Sequence, residues 1–297
     1  MMLDQARTLL AVVDEGTLDA AAVALHVTPS AVSQRVKALE QQTGRVLLIR
    51  TKPVRLTESG EIMVRYARRL AQLERDTMAE LGLGAEGEPA RIAIAVNADS
   101  LATWFLPAIA TVPQATPIRF ELRRADQDNT ATLLREGLVM AAVTSAADPV
   151  AGCSARRLGR MRYLPVASPG YLDQWSHTAL PTLVSEAPVV VFDRDDDIQD
   201  RFARAVTRRG GASGARHYVP STEGFRDAVV GGMGWGLVPQ SQAEPLLRAG
   251  ALVNLAPDRP VDVPLFWQQW KLDSPALAAT ATAVLAAARA ALTNRSA

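Results

Sequence analysis

The chain has 297 residues, of which 48% are hydrophobic and 21% charged, with a net charge of +1. That is the balance of a soluble globular protein with room for two or three domains, and it excludes a globally basic or acidic one, so any affinity for nucleic acid must sit in a segregated patch. The single cysteine, Cys153, excludes an internal disulfide and a cysteine-built zinc site.

From Leu3 to Asp14 the residues Leu3, Leu9, Leu10 and Val13 follow a helical stripe, which predicts a first helix ended by Glu15-Gly16. The apolar run from Leu9 to Val13 is too short, and its flanks too acidic, for a signal peptide. The alanine-dominated Ala276 to Ala288 has the length of a packed helix rather than a membrane span, so a cytoplasmic protein with no membrane partner is expected.

Thr17 can cap a short helix from Leu18 to Leu25, and His26-Val27 connects it tightly to Thr28. Thr28 is a good N-cap and Pro29 suits the first helical position, where a missing N–H costs nothing. In the helix that follows, Val32, Val36 and Leu39 share one face, while Ser30, Ser33, Gln34 and Lys37 point away, flanked by Arg35. Two short helices so joined form a helix-turn-helix, and the second presents its N-terminal side chains to base edges. Ser30, Ser33 and Gln34 are the base-reading candidates.

Gly44 ends this helix. Val46 to Ile49 and then Arg50 to Leu56 read as two short strands around a turn, a wing. Between Arg35 and Arg55 six basic residues (Arg35, Lys37, Arg45, Arg50, Lys52, Arg55) face one acid, Glu40, as a phosphate-facing surface requires. Residues 1–57 therefore form a winged helix-turn-helix DNA-binding domain.

Thr57 to Glu61 starts a capped helix that runs to Leu81. Along it Met63, Tyr66, Leu70, Leu73, Thr77 and Leu81 repeat at spacings of three and four, the stripe of a two-helix dimer seam. A Gly-rich linker, Gly82 to Pro89, then marks a domain boundary, so 58–89 is linker helix and hinge.

From Arg91 strand and helix alternate. Strands are expected at Ile92 to Val96, Ile118 to Arg123, Met140 to Thr144, Tyr163 to Ala167, Pro188 to Phe192, His217 to Val219, Leu237 to Pro239 and Leu265 to Trp270. Helices are expected at Leu101 to Val112, Asn129 to Glu136, Asp196 to Arg208, Glu223 to Gly231 and, behind Ser274-Pro275, to Leu292. This is an α/β pattern with a largely parallel sheet in two lobes, one about 90–162 with 266–297, the other about 163–265.

Asp193-Arg194-Asp195-Asp196-Asp197 starts like a calcium loop, but its sixth position is Ile198 and its twelfth Arg204, so it fails as one. It serves either an ammonium group or merely the acidic first turn of a helix. Gly231 to Gly236 lies between a helix and a strand, the reverse of a phosphate-cradling loop. The three histidines are far apart, with no metal spacing and no nucleophile motif, so no catalytic residue, metal or cofactor is assigned. Asn97-Ala98-Asp99-Ser100, Thr144-Ser145 and Ser221-Thr222-Glu223 all occupy strand ends, which in open α/β sheets line a ligand crevice.

Taken together, the winged helix-turn-helix with Thr28 to Glu40, the linker helix and the two-lobed remainder resemble a LysR-type transcriptional regulator over essentially the whole chain. Ala95 to Pro107 and Ala187 to Asp193 resemble the ArgP/LysG subgroup. The resemblance implies a periplasmic-binding-protein-like effector domain over 90–297 and a homodimer or homotetramer on promoter DNA, with RNA polymerase a further candidate partner. It also implies a basic amino-acid effector, lysine or arginine, and control of basic amino-acid export. Effector would close the cleft and respace the reading domains on DNA. Ser100 and the helix starts near Thr144 and Thr222 would meet the effector carboxylate, beside Asn97, and Asp99, Asp193, Asp195 and Glu223 its cations. One departure is the first helix of the reading pair, Asp19 to Ala24, which is poor in polar residues for phosphate contact. The competing readings are an architectural DNA-binding protein whose α/β region binds no effector, and an enzyme with a DNA-binding appendage.

Overall fold

The computed structural model describes residues 2–80, 90–112, 118–125, 127–208 and 210–293. The N-terminal unit is α1 (Met2–Glu15), α2 (Leu18–Ala24), α3 (Pro29–Thr43), a wing of β1 (Leu48–Ile49) against β2 (Arg55–Leu56), and α4 (Glu58–Glu80). Each boundary has a local cause. The Thr17 hydroxyl accepts from the Ala20 amide at 3.1 Å and the Thr28 hydroxyl from the Ala31 amide at 3.2 Å, caps that each contribute about 1 kcal/mol. Gly44 ends α3 in the left-handed conformation, φ 65°. Val32, Val36 and Leu39 are buried against Leu9, Val12, Leu47 and Val64, so the apolar face of α3 is the floor of this core.

Glu40, the lone acid of the basic stretch, accepts from the amides of Leu47 and Leu48 at 2.8 and 3.4 Å and so anchors the wing. The Thr57 hydroxyl caps α4 through the Gly60 amide at 3.0 Å and donates to the Val46 carbonyl at 2.7 Å. Gly60 sits where a Cβ would come within 2.0 Å of the Leu47 carbonyl oxygen, so only glycine lets α4 leave the wing at this angle.

The second unit opens with β3 (Ala90–Val96) and α5 (Ala98–Ser100), which continues through a π-helical turn at Leu101–Phe105 into α6 (Leu106–Ala110). Next come β4 (Ile118–Arg124), α7 (Gln127–Arg135), β5 (Ala141–Thr144), β6 (Cys153–Ala167), α8 (Pro169–Gln174), α9 (Leu180–Glu186), β7 (Val189–Val191) and α10 (Ile198–Thr207). The rest is β8 (Arg216–Tyr218), α11 (Thr222–Val230), β9 (Gly236–Pro239), α12 (Gln240–Arg248), β10 (Val253–Asn254), β11 (Val261–Trp270) and α13 (Pro275–Ala291). The Gly82 to Pro89 linker and Leu81 lie outside the described residues.

The main sheet has the order β10-β6-β11-β5-β3-β4, with β9 also pairing β6. Only the β3 pairings with β4 and β5 are parallel; the others are antiparallel, which corrects the largely parallel sheet expected from sequence. The cause is β11, which returns from the far half of the chain and inserts between β5 and β6, running against both. β6 is also much longer than Tyr163 to Ala167, because its first part carries Arg156, Arg157, Arg160 and Arg162 and reads as polar. Arg162 is held there by a bidentate pair with its cross-strand neighbour Asp262, both contacts 2.8 Å. The short α8, α9, α12 and β10 have no counterpart in the sequence reading. α13 returns to pack on α6 and β3, and its Leu277, Ala281, Val284 and Ala288 are buried in the central core.

Helix α4 also touches the second unit. The Arg68 guanidinium donates to the Glu136 carbonyl and to Asp14 of α1, each at 2.5 Å. Beside it the Arg69 guanidinium lies 5.2 Å from the centroid of the buried Trp270 ring. Gly137, φ 68°, allows this approach, since a Cβ there would meet Trp270 at 2.6 Å. No described helix is long and apolar enough to cross a membrane.

We expect Gly60→Ala to lower the stability of the full chain by about 2 kcal/mol, the scale of an overpacked core site. A urea melt checks it, and an unchanged midpoint would deny the close approach of α4 to the wing.

Candidate functional site

Two surfaces gather the residues singled out in the sequence. The first is on the N-terminal unit. Thr28, Ser30, Gln34 and Lys37 are exposed along α3 and its cap, while Ser33 and Arg35 are half-buried. Arg45, Arg50, Lys52 and Arg55 are exposed around the wing. Among the described residues none of the six cations pairs with a carboxylate within 4 Å, since the only nearby acid is committed to the wing amides. Six unpaired cations on a helix and the wing that follows it, beside free polar side chains, are the electrostatic footprint of a DNA-reading surface.

On α4, Tyr66 is 42% and Leu73 55% exposed, with Ile62 at 54% and Leu70 half-buried between them. Met63, placed in the seam by its spacing, instead packs against the core of its own unit. The helix is rotated so that Val64 and Ala67 face inward, and the exposed apolar stripe runs through Ile62 rather than Met63.

The second surface is a cleft of about 260 Å³ in the α/β unit, walled by the ends of β3, β5 and β9, the middle of β6, and the starts of α7, α10 and α11. Of the sequence candidates, Asn97, Asp99, Thr144, Asp193, Asp195 and Thr222 line it. Ser100 and Glu223 do not. The helix after β3 begins at Ala98, not at Leu101, so Ser100 lies inside it, fully buried, rather than at an open helix start. Glu223 is exposed outside the cleft lining, and its charge opposes ionisation of Asp99.

Asp99 is the electrostatic centre. Its carboxylate accepts from the Tyr163 hydroxyl on β6 at 2.7 Å and from the Thr222 hydroxyl at the start of α11 at 2.9 Å. It thereby ties three separate elements. Among the described residues no cation lies within 4 Å of it. Burial pushes its pKa up against the two hydrogen bonds that hold it down, and Glu223 adds to the rise. Tyr163, buried beside it, is pushed up as well, so it stays a hydroxyl donor.

The acidic run after β7 forms the opposite wall. The Asp193 carboxylate accepts from the amides of Asp195 and Asp196 at 2.9 and 3.0 Å, and Asp196 accepts from those of Ile198 and Phe192 at 3.1 and 3.3 Å. These bonds fold the run into a turn that starts α10. Asp196 is enclosed enough for burial to raise its pKa. Among the described residues the only cation lining the cleft, Arg201, is paired with Asp197 at 3.1 Å. Asp196, Ser145, Tyr163 and Gln199 also line the cleft. Asp196 and Ser145 stood inside runs already noted, whereas Tyr163 and Gln199 carried no local signal. Asn97 Oδ1, Ser145 Oγ and Gln199 Oε1 are buried without hydrogen-bond partners, polar atoms that a ligand would satisfy. Cys153 lies elsewhere, buried, its pKa pushed up to about 11.

Two family models match the chain, "Bacterial regulatory helix-turn-helix protein, lysR family" over residues 3–61 and "LysR substrate binding domain" over 85–289. The lysine export transcriptional regulatory protein LysG of Corynebacterium efficiens is 46% identical over 287 residues, 96% of this chain and 97% of that protein. Among solved structures, ArgP from Mycobacterium tuberculosis superposes with a TM-score of 0.90 at 45% identity, covering 98% of both chains. Full-length LysG from Corynebacterium glutamicum with bound effector Arg does so with a TM-score of 0.83 at 42% identity, over 99% of this chain and 100% of that one. With both units matched and relatives aligned end to end, the chain belongs to the LysR family of helix-turn-helix transcriptional regulators.

Proposed function

We propose that this protein is a sequence-specific DNA-binding regulator that senses a basic amino acid, arginine or lysine, and controls basic amino-acid export. The observation that carries the effector reading is Asp99, a carboxylate deep in a ligand-sized cleft that holds two hydroxyl donors and no cation. A cationic ligand supplies the missing charge. Asp193, Asp195 and Asp196 extend the same sign across the cleft, against one cation that is already paired. The relative with bound Arg is consistent with this chemistry.

In this reading residues 1–57 bind promoter DNA, 58–89 form the linker and dimer seam through Tyr66, Leu70 and Leu73, and 90–297 hold the effector between two lobes. Ser30, Ser33 and Gln34 read bases; Arg35, Lys37, Arg50, Lys52 and Arg55 hold phosphates. Effector binding favours one arrangement of the two reading units in a homo-oligomer over another, a population shift set by its differential affinity for the two. The protein works in the cytoplasm, without catalysis, and hands its signal to RNA polymerase.

Gln34→Ala should relax base preference, whereas Arg50→Ala should weaken binding evenly across sequences and reduce the salt slope by about 1. Gel shifts on specific and scrambled DNA at two salt concentrations separate the two outcomes. Asp99→Asn removes an uncompensated charge, so it should raise the melting temperature of the effector-free protein at pH 7 and erase most of the rise that arginine gives the native chain. At about one hundred times its dissociation constant a ligand adds about 2.7 kcal/mol, well within reach of a thermal-shift panel of the twenty amino acids. No response to any amino acid would favour the architectural reading.

The pH dependence has a defined sign. Because the Asp99 pKa is raised in the fold, its contribution to effector-free stability is present on the acid side and lost as pH rises through the raised value. A bound cation draws that pKa down, so arginine's stabilisation should grow over the same rise. In Asp99→Asn this part of the pH dependence should disappear, readable by comparing melting curves of the two proteins across the acid range.

A further inference from the structure

Gln199 is among the most thoroughly buried polar side chains of the molecule, 2% exposed, and it lies in the wall of the effector cleft. It occupies the first turn of α10, next to the acidic turn, and lines the cleft together with Asp196. An ionised carboxylate can only accept, so the acids around it can satisfy the amide NH₂ and not the carbonyl oxygen. The carbonyl oxygen, Oε1, is left buried with no donor, in a protein where such atoms are normally satisfied. The acids on this wall cannot supply one, and Arg201 is held by Asp197.

Asp99 and Asp196 line the same cleft, and both carboxylates act electrostatically on the Tyr163 hydroxyl. A basic amino acid carries two cationic groups, so two carboxylates in one cleft match it in number as well as sign. Asp99 is hydrogen-bonded by the Tyr163 and Thr222 hydroxyls, while Asp196 shares its wall with the free carbonyl oxygen of Gln199. A carboxylate and a carbonyl side by side suit a planar guanidinium, which directs several N–H groups outward in one plane.

We propose that Gln199, with Asp196, forms the subsite that reads the side-chain cation of the effector and favours guanidinium over ammonium. The proposal rests on the reading of the cleft as a basic amino-acid site. Gln199 accepts an N–H through Oε1, and Asp196 supplies the charge. The α-ammonium group falls to Asp99. Lysine, with three freely rotating N–H donors, can turn them to the remaining acceptors when Gln199 is lost; arginine, with its N–H groups fixed in a plane, cannot.

The test is calorimetric titration of the full chain with arginine and with lysine, for the native sequence, Gln199→Leu and Gln199→Glu. Gln199→Leu should weaken arginine binding about tenfold or more, the scale of a lost hydrogen bond to a charged group, and lysine binding clearly less, moving the preference toward lysine. Gln199→Glu keeps an acceptor and adds a charge, so it should move the preference toward arginine, and it carries the test alone if the leucine variant does not fold. A parallel loss of both ligands is the mark of structural damage only and overturns the proposal, as does an unchanged preference in the glutamate variant. Absence of binding by the native chain to either amino acid instead overturns the reading of the cleft itself.

Discussion

The α/β unit depends on one ladder. β6 and β11 pair antiparallel from Tyr163 with Val261 to Cys153 with Trp270, and every other strand of the main sheet is attached to one of these two. At one end β11 carries β5, and through it β3 and β4; at the other β6 carries β9 and β10. The cleft lies toward the Tyr163 end of this ladder, which lines it with Tyr163, Val263 and Leu265. Its walls therefore come from two sheet halves that share a single pair of strands. The register slips between Leu265 and Phe266, opposite Gly159 and Arg157, and such a bulge increases local twist. The joint between the halves is a twisted ribbon, not a loop.

The charges of the protein are arranged by cost. On the reading surface all the cations but the half-buried Arg35 are exposed, where keeping them unpaired costs little, and Glu40, the one acid of the stretch, is spent on the wing amides. In the cleft Asp99 and Asp196 are shielded from water and supported by hydroxyl and amide donors. Elsewhere in the same unit buried carboxylates do find guanidinium partners, Asp262 with Arg162 and Asp200 with Arg216 at 2.7 Å. Burial and pairing thus go together except in the cleft, which is how a site for a charged ligand differs from a structural ion pair.

The N-terminal unit was legible because its signals are local. Caps at Thr17 and Thr28, Pro29 at a helix start, Gly44 at an end and a period of 3.6 between them are properties of a few consecutive residues, and the structure places each element there. β6 was read short because its arginines are stabilised by partners a hundred residues away, Asp262 above all. The sheet direction was misread for the same reason, since β11 inserts between two strands that precede it by about a hundred residues. In the cleft, strand ends located Asn97, Asp99, Thr144 and Thr222, whereas Gln199 became significant only through its burial and its unpartnered carbonyl oxygen in the cleft wall. Ser100 was misplaced by three residues of helix, because the Asn97 start carries no side-chain cap bond and so leaves little trace in the sequence.

Arg68 joins three parts of the chain that sequence places far apart, α1 through Asp14, α4 on which it sits, and the carbonyl of Glu136 just past α7. The opposite end of α7 borders the cleft at Asn129 and Thr130. A helix of nine residues is about 13 Å long, so a rigid rod of that length separates the ligand from a guanidinium that also grips the reading unit. If a ligand tilts α7 at its cleft end, the Arg68 contacts carry that movement to α4 and α1. By reciprocity, whatever fixes the N-terminal unit in place changes how easily the rod can tilt.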